Sequence, residues 1–566
     1  MNFKKEVVEL LSDKIKDSSL DEIKSLIEIP SDKTKGDLAF PCFKLAKIYH
    51  KAPNIIAQEL VSQMNAIGSI SKIENAGGYI NFFVNNKLLA EEVIDKVLTE
   101  KDDFGKTDYG QNRNVVVEYS SPNIAKPFHI GHIRSTVIGH AIDRIYQYIG
   151  FHTISINHLG DYGTQFGKLI VALKKWGDRS VVEKDPINEL LKLYVKFHDE
   201  AEKNPELEEE ARHWFVKLEE EKDPEAIELW QWIRDVSLVE FNKVYDLLDI
   251  KYDSFAGESF YSDKMDAIVD TLKEKGLLKE SEGAQIVDLE EYDMTPALIK
   301  KSDGTTLYIT RDLAASKYRK DTYDFYRNIY VVGSQQALHF KQWKKVHELM
   351  GNDWAKDCIH VQFGTVSLED GTLSTRKGNV VFLEDVLNKS IEKAKEIILQ
   401  KNPDIDNLDE IATAVGVGAI IFQELSTNRI KDYKFSWEKS LAFEGETGPY
   451  VQYTHARCCS LLSKTEEDYS NINFDILASN PDAMTIIKLL NSFTNTLIKS
   501  AERYEPNHIC RYVLDLCQTF NKFYHDNPIL TAEEEKKKAY LALVKSVEIG
   551  IKNVLWILGM KAPEKM

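Results

Sequence analysis

The stretch Ser121-Pro122-Asn123-Ile124-Ala125-Lys126-Pro127-Phe128-His129-Ile130-Gly131-His132 sets the interpretation of the whole chain. It follows the apolar run Val115-Val116-Val117 and leads into a helical pattern over 133–149. Strand, turn and helix therefore succeed one another, with two histidines opening the helix. The first turn of a helix carries unpaired N–H groups and a partial positive charge, which suits a phosphate. His129 and His132 are three residues apart, so both imidazoles share one helix face and can contact the phosphates of a nucleotide. Gly131 between them has no side chain and lets a base or ribose lie against the backbone. Two plainer readings stay open: ordinary helix-start residues, or an i,i+3 metal pair completed by His140 or Asp143. No Cys cluster or Glu-x-x-His repeat supports the metal pair, and we assign no metal ligands.

On either side of this stretch the pattern alternates. Strands are expected over 115–119, 153–157, 307–310, 329–332 and 359–363, with a helix over 133–148 and a long helical insertion after 157. That rhythm predicts an α/β architecture, a parallel sheet with helices on both faces. A dense acidic run between Asp199 and Glu228 reads as an exposed, solvated helical insertion. Residues 1–110 read as a separate small α+β domain, with helices over 4–16 and 41–49 and a strand following the Gly77-Gly78 turn. The polar stretch 101–113 reads as a linker. From residue 440 the pattern is helical, with Ile509, Val513, Leu516, Phe520 and Phe523 spaced as one buried stripe. These boundaries give domains 1–110, 111–439 and 440–566.

The chain has 566 residues, 43% hydrophobic and 29% charged, which is ordinary for a multidomain globular protein. No apolar run approaches the ~20 residues that span a bilayer, and we expect no signal peptide and no membrane partner. Six sparse cysteines without a paired framework suit a reducing cytoplasm. The formal net charge of -18 alone argues against nucleic acid as a partner. Distribution matters more: residues 485–566 carry 12 Lys and Arg against 9 Asp and Glu, so a local basic face can still bind RNA.

The His-Ile-Gly-His tetrapeptide resembles the first signature of class I aminoacyl-tRNA synthetases. With Ser-Ser-Pro-Asn before it and Arg134-Ser135-Thr136 after it, the string resembles the arginyl-tRNA synthetases in particular. Leu373-Ser374-Thr375-Arg376-Lys377 resembles their second signature loop in degenerate form, since the central lysine is absent. In that family a lysine just before the first signature is thought to substitute, and Lys126 stands there. A plain basic surface loop is the alternative. The resemblance implies catalytic roles for His129, His132, Lys126, Arg376 and Lys377, and ATP contacts from His129, Gly131, His132, Ser374 and Lys377. Charge building on phosphate oxygens is what such donors stabilise.

An arginine substrate needs carboxylates facing its guanidinium. By the same resemblance Glu118 and Asp312 hold the side chain, Tyr308 packs on it, and Asn123 and Gln336 orient the backbone groups. The alternatives are an N-cap for Asp312 and a solvated loop residue for Gln336. His158-Leu159-Gly160-Asp161-Tyr162-Gly163-Thr164-Gln165 matches too, although a structural turn explains its glycines nearly as well. Tyr79 and Asn81 resemble a patch meeting tRNA, with strand core as the alternative; Tyr450, Tyr453 and Arg457 resemble contacts of a helical anticodon-binding domain. The implied fold is a class I Rossmann-like parallel-sheet catalytic domain between an N-terminal α+β accessory domain and a C-terminal all-α anticodon-binding domain. The implied activity is ATP-dependent activation of L-arginine and its transfer to tRNA(Arg), with Mg2+ bound through ATP phosphates, in a cytoplasmic monomer. Enzymes of another class that carry an HxGH helix, small-substrate nucleotidyltransferases, would not need flanking RNA-binding regions of this size. A tRNA-binding paralogue without catalysis is the other competitor.

Overall fold

The computed structural model describes residues 3–30, 32–301, 308–368, 382–465 and 468–566. The chain divides into two compact units. One comprises Met1–Phe104, Arg457–Phe493 and Asp515–Ile551; the other comprises Gly105–Ala456, Thr494–Leu514 and Lys552–Met566.

In the first unit β1 (Leu38–Pro41), β2 (Ile70–Ala76) and β3 (Tyr79–Val84) form an antiparallel sheet in the order β1-β3-β2. The β2–β3 hairpin turns at Gly77, whose φ of 60° is left-handed, the conformation glycine adopts without steric cost. Val7, Leu11, Phe40 and Phe82 lie in its core. The helices Phe3–Lys14 and Phe43–Tyr49 fall where periodicity placed them.

The second unit is built on four parallel strands. These are β4 (Asn114–Glu118) and β5 (His152–Ile156), and, after the antiparallel trio β6 (Leu278–Ser281), β7 (Ala284–Val287) and β8 (Ala297–Lys300), β9 (Arg327–Gly333) and β10 (Cys358–Phe363). The sheet order is β10-β9-β4-β5. β4 is central, so Val115, Val116 and Val117 are wholly buried, and a strand covered on both faces reads as an unbroken apolar run. A short parallel pair follows, β11 (Val366–Leu368) with β12 (Tyr433–Phe435). The helix Ile133–Tyr148 is buried along nearly its whole length. Between β5 and β6 come the helices Gln165–Trp176, Pro186–Ala201, Glu206–Glu219 and Pro224–Leu247, the expected acidic insertion.

One expectation is corrected. The run 307–310 was expected as a strand; Leu307 lies outside the described residues, and Tyr308 opens the helix Tyr308–Tyr323. A short β-branched and aromatic run cannot be told from a buried helical turn by periodicity, and here Thr310 Oγ1 donates to Ile299 O of β8 at 2.7 Å, a tertiary contact. Asp312 therefore sits on a helix, not at a strand terminus. The boundary between the two compact units, Phe104/Gly105, falls within the expected linker 101–113, which is well packed: Phe104 is buried, and Gly110 N donates to Ile149 O at 2.8 Å. The stripe Ile509, Val513, Leu516, Phe520 and Phe523 is buried throughout. Among the described residues no helix is long and apolar enough to cross a membrane.

Candidate active site

The backbone between β4 and the Ile133–Tyr148 helix is unusual. Ser120, Ser121 and Ala125 have φ of 71°, 51° and 59°, the left-handed region that non-glycine residues rarely adopt. Buried hydroxyls hold it there. Ser120 N donates to Ser135 Oγ at 3.0 Å, and Ser135 Oγ donates to Val331 O at 2.7 Å. The Tyr245 hydroxyl lies 2.8 Å from Ser120 Oγ, and Ala125 N donates to Ser237 Oγ at 3.2 Å. Such over-determined strain clusters at functional sites.

The turn delivers the histidine pair. His129 caps the 3₁₀ turn Ile130–His132: Gly131 N donates to His129 Nδ1 at 3.1 Å, and His129 N donates to His132 Nδ1 at 3.2 Å. Nδ1 of His129 accepts, which puts the proton of that neutral ring on Nε2. Nδ1 of His132 lies 3.2 Å from His129 N and 3.1 Å from His129 O, a position that serves either tautomer. The ring centroids are 4.0 Å apart. Burial pushes both pKa values down, that of His132 to about 3, with the neighbouring His129 adding to it. At neutral pH the pair is uncharged and offers N–H donors, not cations. A Cβ on Gly131 would meet His129 Cε1 at 2.8 Å. His140 accepts from Arg144 Nε at 2.9 Å, and Asp143 from Gln147 at 3.2 Å.

A cavity of about 560 Å³ opens at the carboxyl ends of β4 and β9, where open parallel sheets bind ligands. Glu118, Asn123, Gly131, His132, Tyr308, Asp312 and Gln336 all line it. The carboxylates are not bare. Glu118 pairs with the fully buried Arg319 at 2.6 Å, Asp312 with His339, and Glu258 with Arg311 at 2.9 Å. Arg311 also lies over the Tyr162 ring, 4.2 Å from its centroid. Burial raises the pKa of Glu258, with Arg311 opposing.

Arg319, Glu258 and His339 were not singled out in the sequence. Reading 308–323 as a helix would have placed Tyr308, Asp312 and Arg319 on one face, at i, i+4 and i+11. Glu258 carries no local signal; it reaches the cavity through Asp161, whose carboxylate accepts from Ser259 N at 2.8 Å. Gly160 explains part of the matching 158–165 string: it bridges Asn123, and a Cβ there would lie 2.1 Å from Asn123 Oδ1.

Ser374, Arg376 and Lys377 lie outside the described residues, but both flanks of their segment meet the first motif. Before it, the buried guanidinium of Arg134 donates to Gly364 O and Lys431 O, both at 2.9 Å, and pairs with Glu424 at 3.3 Å. Burial pushes the Glu424 carboxyl up to about 7, against the pull of Arg134. After it, Phe382 bridges His129, and Leu383 N donates to Phe128 O at 2.9 Å. Lys126 is exposed and does not line the cavity.

Of the residues expected to meet RNA, Asn81 is corrected. It is 2% exposed within β3 and presents nothing to a partner. Tyr79 is half-buried, edge-on to the Phe43 ring at 5.2 Å. Tyr450, Tyr453 and Arg457 are half-buried; Arg457 donates to Asn521 and lies over the Tyr524 ring, 5.2 Å from its centroid.

Comparison with known proteins covers the whole chain. Residues 93–437 match the family model described as "tRNA synthetases class I (R), catalytic domain", residues 451–566 a "DALR anticodon binding domain", and residues 2–84 an "Arginyl tRNA synthetase N terminal domain". The chain is 62% identical to the arginine–tRNA ligase of Clostridioides difficile and 58% identical to that of Halothermothrix orenii, each over 100% of both chains. Among solved structures it is similar to the arginyl-tRNA synthetase of Thermus thermophilus, with a TM-score of 0.83 and 25% identity over 100% of both chains. The Plasmodium falciparum arginyl-tRNA synthetase superposes with a TM-score of 0.81 at 25% identity, covering 100% of this chain and 99% of that one.

Proposed function

The chain belongs to the arginyl-tRNA synthetases, and from that membership we propose how its own residues divide the work. The reaction is ATP-dependent activation of L-arginine to arginyl-adenylate, releasing pyrophosphate, then transfer of the arginyl group to tRNA(Arg), releasing AMP. The arginine carboxylate attacks the α-phosphorus of ATP, so no protein nucleophile is required.

His129 and His132 act as neutral imidazoles that hydrogen-bond the nucleotide on which charge builds, and Gly131 leaves room for it beside them. Ser374 and Lys377 contact ATP, and Arg376, Lys377 and Lys126 supply the positive charge against the leaving pyrophosphate. Asp312 is the principal partner of the substrate guanidinium. Its own partner, His339, is a weaker competitor than the buried Arg319 that already holds Glu118. Glu118 completes the carboxylate pair, Tyr308 packs on the side chain, and Asn123 and Gln336 orient the substrate's backbone groups. Binding of this kind contributes by fixing geometry before reaction.

Magnesium enters with ATP, held by phosphate oxygens. The cavity carboxylates Glu118, Asp312 and Glu258 each have a side-chain partner already, so they do not form a protein cage for it. Residues 1–110 serve tRNA contact through Tyr79, 111–439 catalysis, and 440–566 anticodon binding through Tyr450, Tyr453 and Arg457. The three family matches support this order of regions, with the catalytic match already beginning at residue 93. The enzyme works as a cytoplasmic monomer; its sparse cysteines suit that compartment.

The observation that carries this reading is one cavity bringing Glu118 and Asp312 together with His132. Aminoacylation of unfractionated tRNA with each labelled amino acid in turn tests it. Arginine alone should be attached, and charging with lysine or glutamine instead would refute the assignment of the carboxylates.

A further inference from the structure

The helix Pro481–Arg503 ends in a corner before the helix Asn507–Asp526. Tyr504 takes a left-handed φ of 56°, and the corner closes on itself: Ser500 Oγ donates to Glu505 O at 2.7 Å, and Glu505 N donates to Ser500 O at 3.0 Å. Three side chains from the catalytic unit hold it. Tyr146 OH donates to Ala501 O at 3.2 Å, Tyr109 OH to Glu502 Oε1 at 3.1 Å, and Arg429 Nε to Tyr504 O at 3.1 Å.

Arg429 differs from the two tyrosines in what else it holds. Its Nη1 donates to the carbonyl of Gln362, the penultimate residue of β10, at 2.7 Å. The next residue, Phe363, lines the cavity, and the one after, Gly364, donates its N–H to the carbonyl of Arg429 itself at 2.8 Å. One planar guanidinium thus ties a corner near residue 504 to the end of β10, beside the cavity. A planar, forked donor bonding two carbonyls fixes both their separation and their orientation. A lysine carries its three donors on one nitrogen at the end of a flexible stem, so it does not fix the separation and orientation of two carbonyls as a planar fork does.

We propose that Arg429 is a positioning residue for the activation step, joining the helical corner at Tyr504 to the β10 terminus at Gln362 and so fixing the strand end whose next residue, Phe363, lines the cavity. The inference rests on the ligase reading above. The guanidinium touches no substrate; it acts through the backbone it holds. The corner belongs to the region matched to anticodon binding, so RNA seated on that region meets the activation site through this side chain.

The test compares the parent with Arg429→Gln, Arg429→Lys and Tyr109→Phe in ATP–pyrophosphate exchange at saturating tRNA. ATP and arginine are varied separately, with tRNA dissociation constants and thermal unfolding measured alongside. Losing the bridge should lower kcat of Arg429→Gln about ten-fold, the equivalent of one hydrogen bond of positioning, with the arginine KM and the tRNA Kd within about two-fold of the parent. Arg429→Lys should fall between. Tyr109→Phe loosens the same corner without touching β10 and should match the parent. The proposal is overturned by an unchanged kcat in a folded Arg429→Gln protein, by an equal loss of arginine or tRNA affinity, or by a Tyr109→Phe defect as large. Should Arg429→Gln not fold, Arg429→Lys decides on the same criteria. A parent that attaches no arginine to tRNA would instead refute the ligase reading, and the proposal with it.

Discussion

His132 is locked between Phe128, whose ring centroid is 5.2 Å away, and His129, with its Nδ1 already used by backbone. Replacing it by alanine removes one preorganised donor, and pyrophosphate exchange should slow roughly ten-fold or more with the unfolding midpoint little changed. An unaltered exchange rate would take this ring out of the mechanism. The same ring makes stability depend on pH. Its folded pKa of about 3 lies below the ordinary 6.5, so its contribution is full above pH 6.5 and is lost as pH falls. Between pH 7 and pH 5 the parent should lose about 2 kcal/mol that a His132→Gln variant does not lose. Asp143 and Glu424, whose pKa values burial raises, pull the opposite way but are common to both proteins. Urea unfolding of the pair at the two pH values checks this, and parallel losses would contradict it. The two carboxylates assigned to the substrate guanidinium should also behave differently. Asp312→Asn should raise the arginine KM far more than the ATP KM, at little cost in stability, because its partner His339 is partly solvated. Glu118→Gln leaves Arg319 buried without its carboxylate and should destabilise the fold by about 3–5 kcal/mol besides weakening arginine binding. Separate titrations of arginine and ATP, with melting curves, distinguish the two.

The 158–165 string was matched without a reason to separate its turn glycines from its function, and the geometry separates them. Gly160→Ala puts a methyl group into Asn123 Oδ1, so it should raise the arginine KM several-fold while the helix and sheet survive; an unchanged KM would mean that Asn123 does not hold the substrate. Elements with strong, long periodicity were legible from sequence. The helix Ile133–Tyr148 and strands β4, β9 and β10 fall within a residue or two of expectation, because an unbroken apolar core strand and a buried helix leave little ambiguity. The Tyr308–Tyr323 helix was not legible, since its opening residues favour strand and only the contact with β8 selects helix. The candidate site divides in the same way. Residues in contiguous strings were found, while Arg319, Glu258 and His339 matter through pairings between distant segments that no local pattern encodes.

Across the whole chain, the family resemblance implies that activation waits for tRNA. Exchange with arginine and ATP alone should be near background and should appear when tRNA is added; vigorous exchange in a nuclease-treated preparation would refute that dependence and leave the ligase assignment standing. Truncation at residue 440 is a poor way to ask the question. Residues 494–514 and 552–566 belong to the same compact unit as the catalytic sheet, and the carbonyls of Tyr504 and Trp556 are taken by Arg429 and Arg144. Removing them strips the catalytic unit of buried hydrogen-bond partners, so loss of activity would not be informative.

The strand order has a consequence for the ribosome. β4 pairs with β5, made soon after it, and with β9, made roughly 200 residues later. At about 5–20 residues per second, one edge of the central strand waits on the order of ten to forty seconds for its partner. The acidic helix Glu206–Glu219 emerges in that interval, while the Val115–Val117 edge of β4 still lacks the strand that will pair with it.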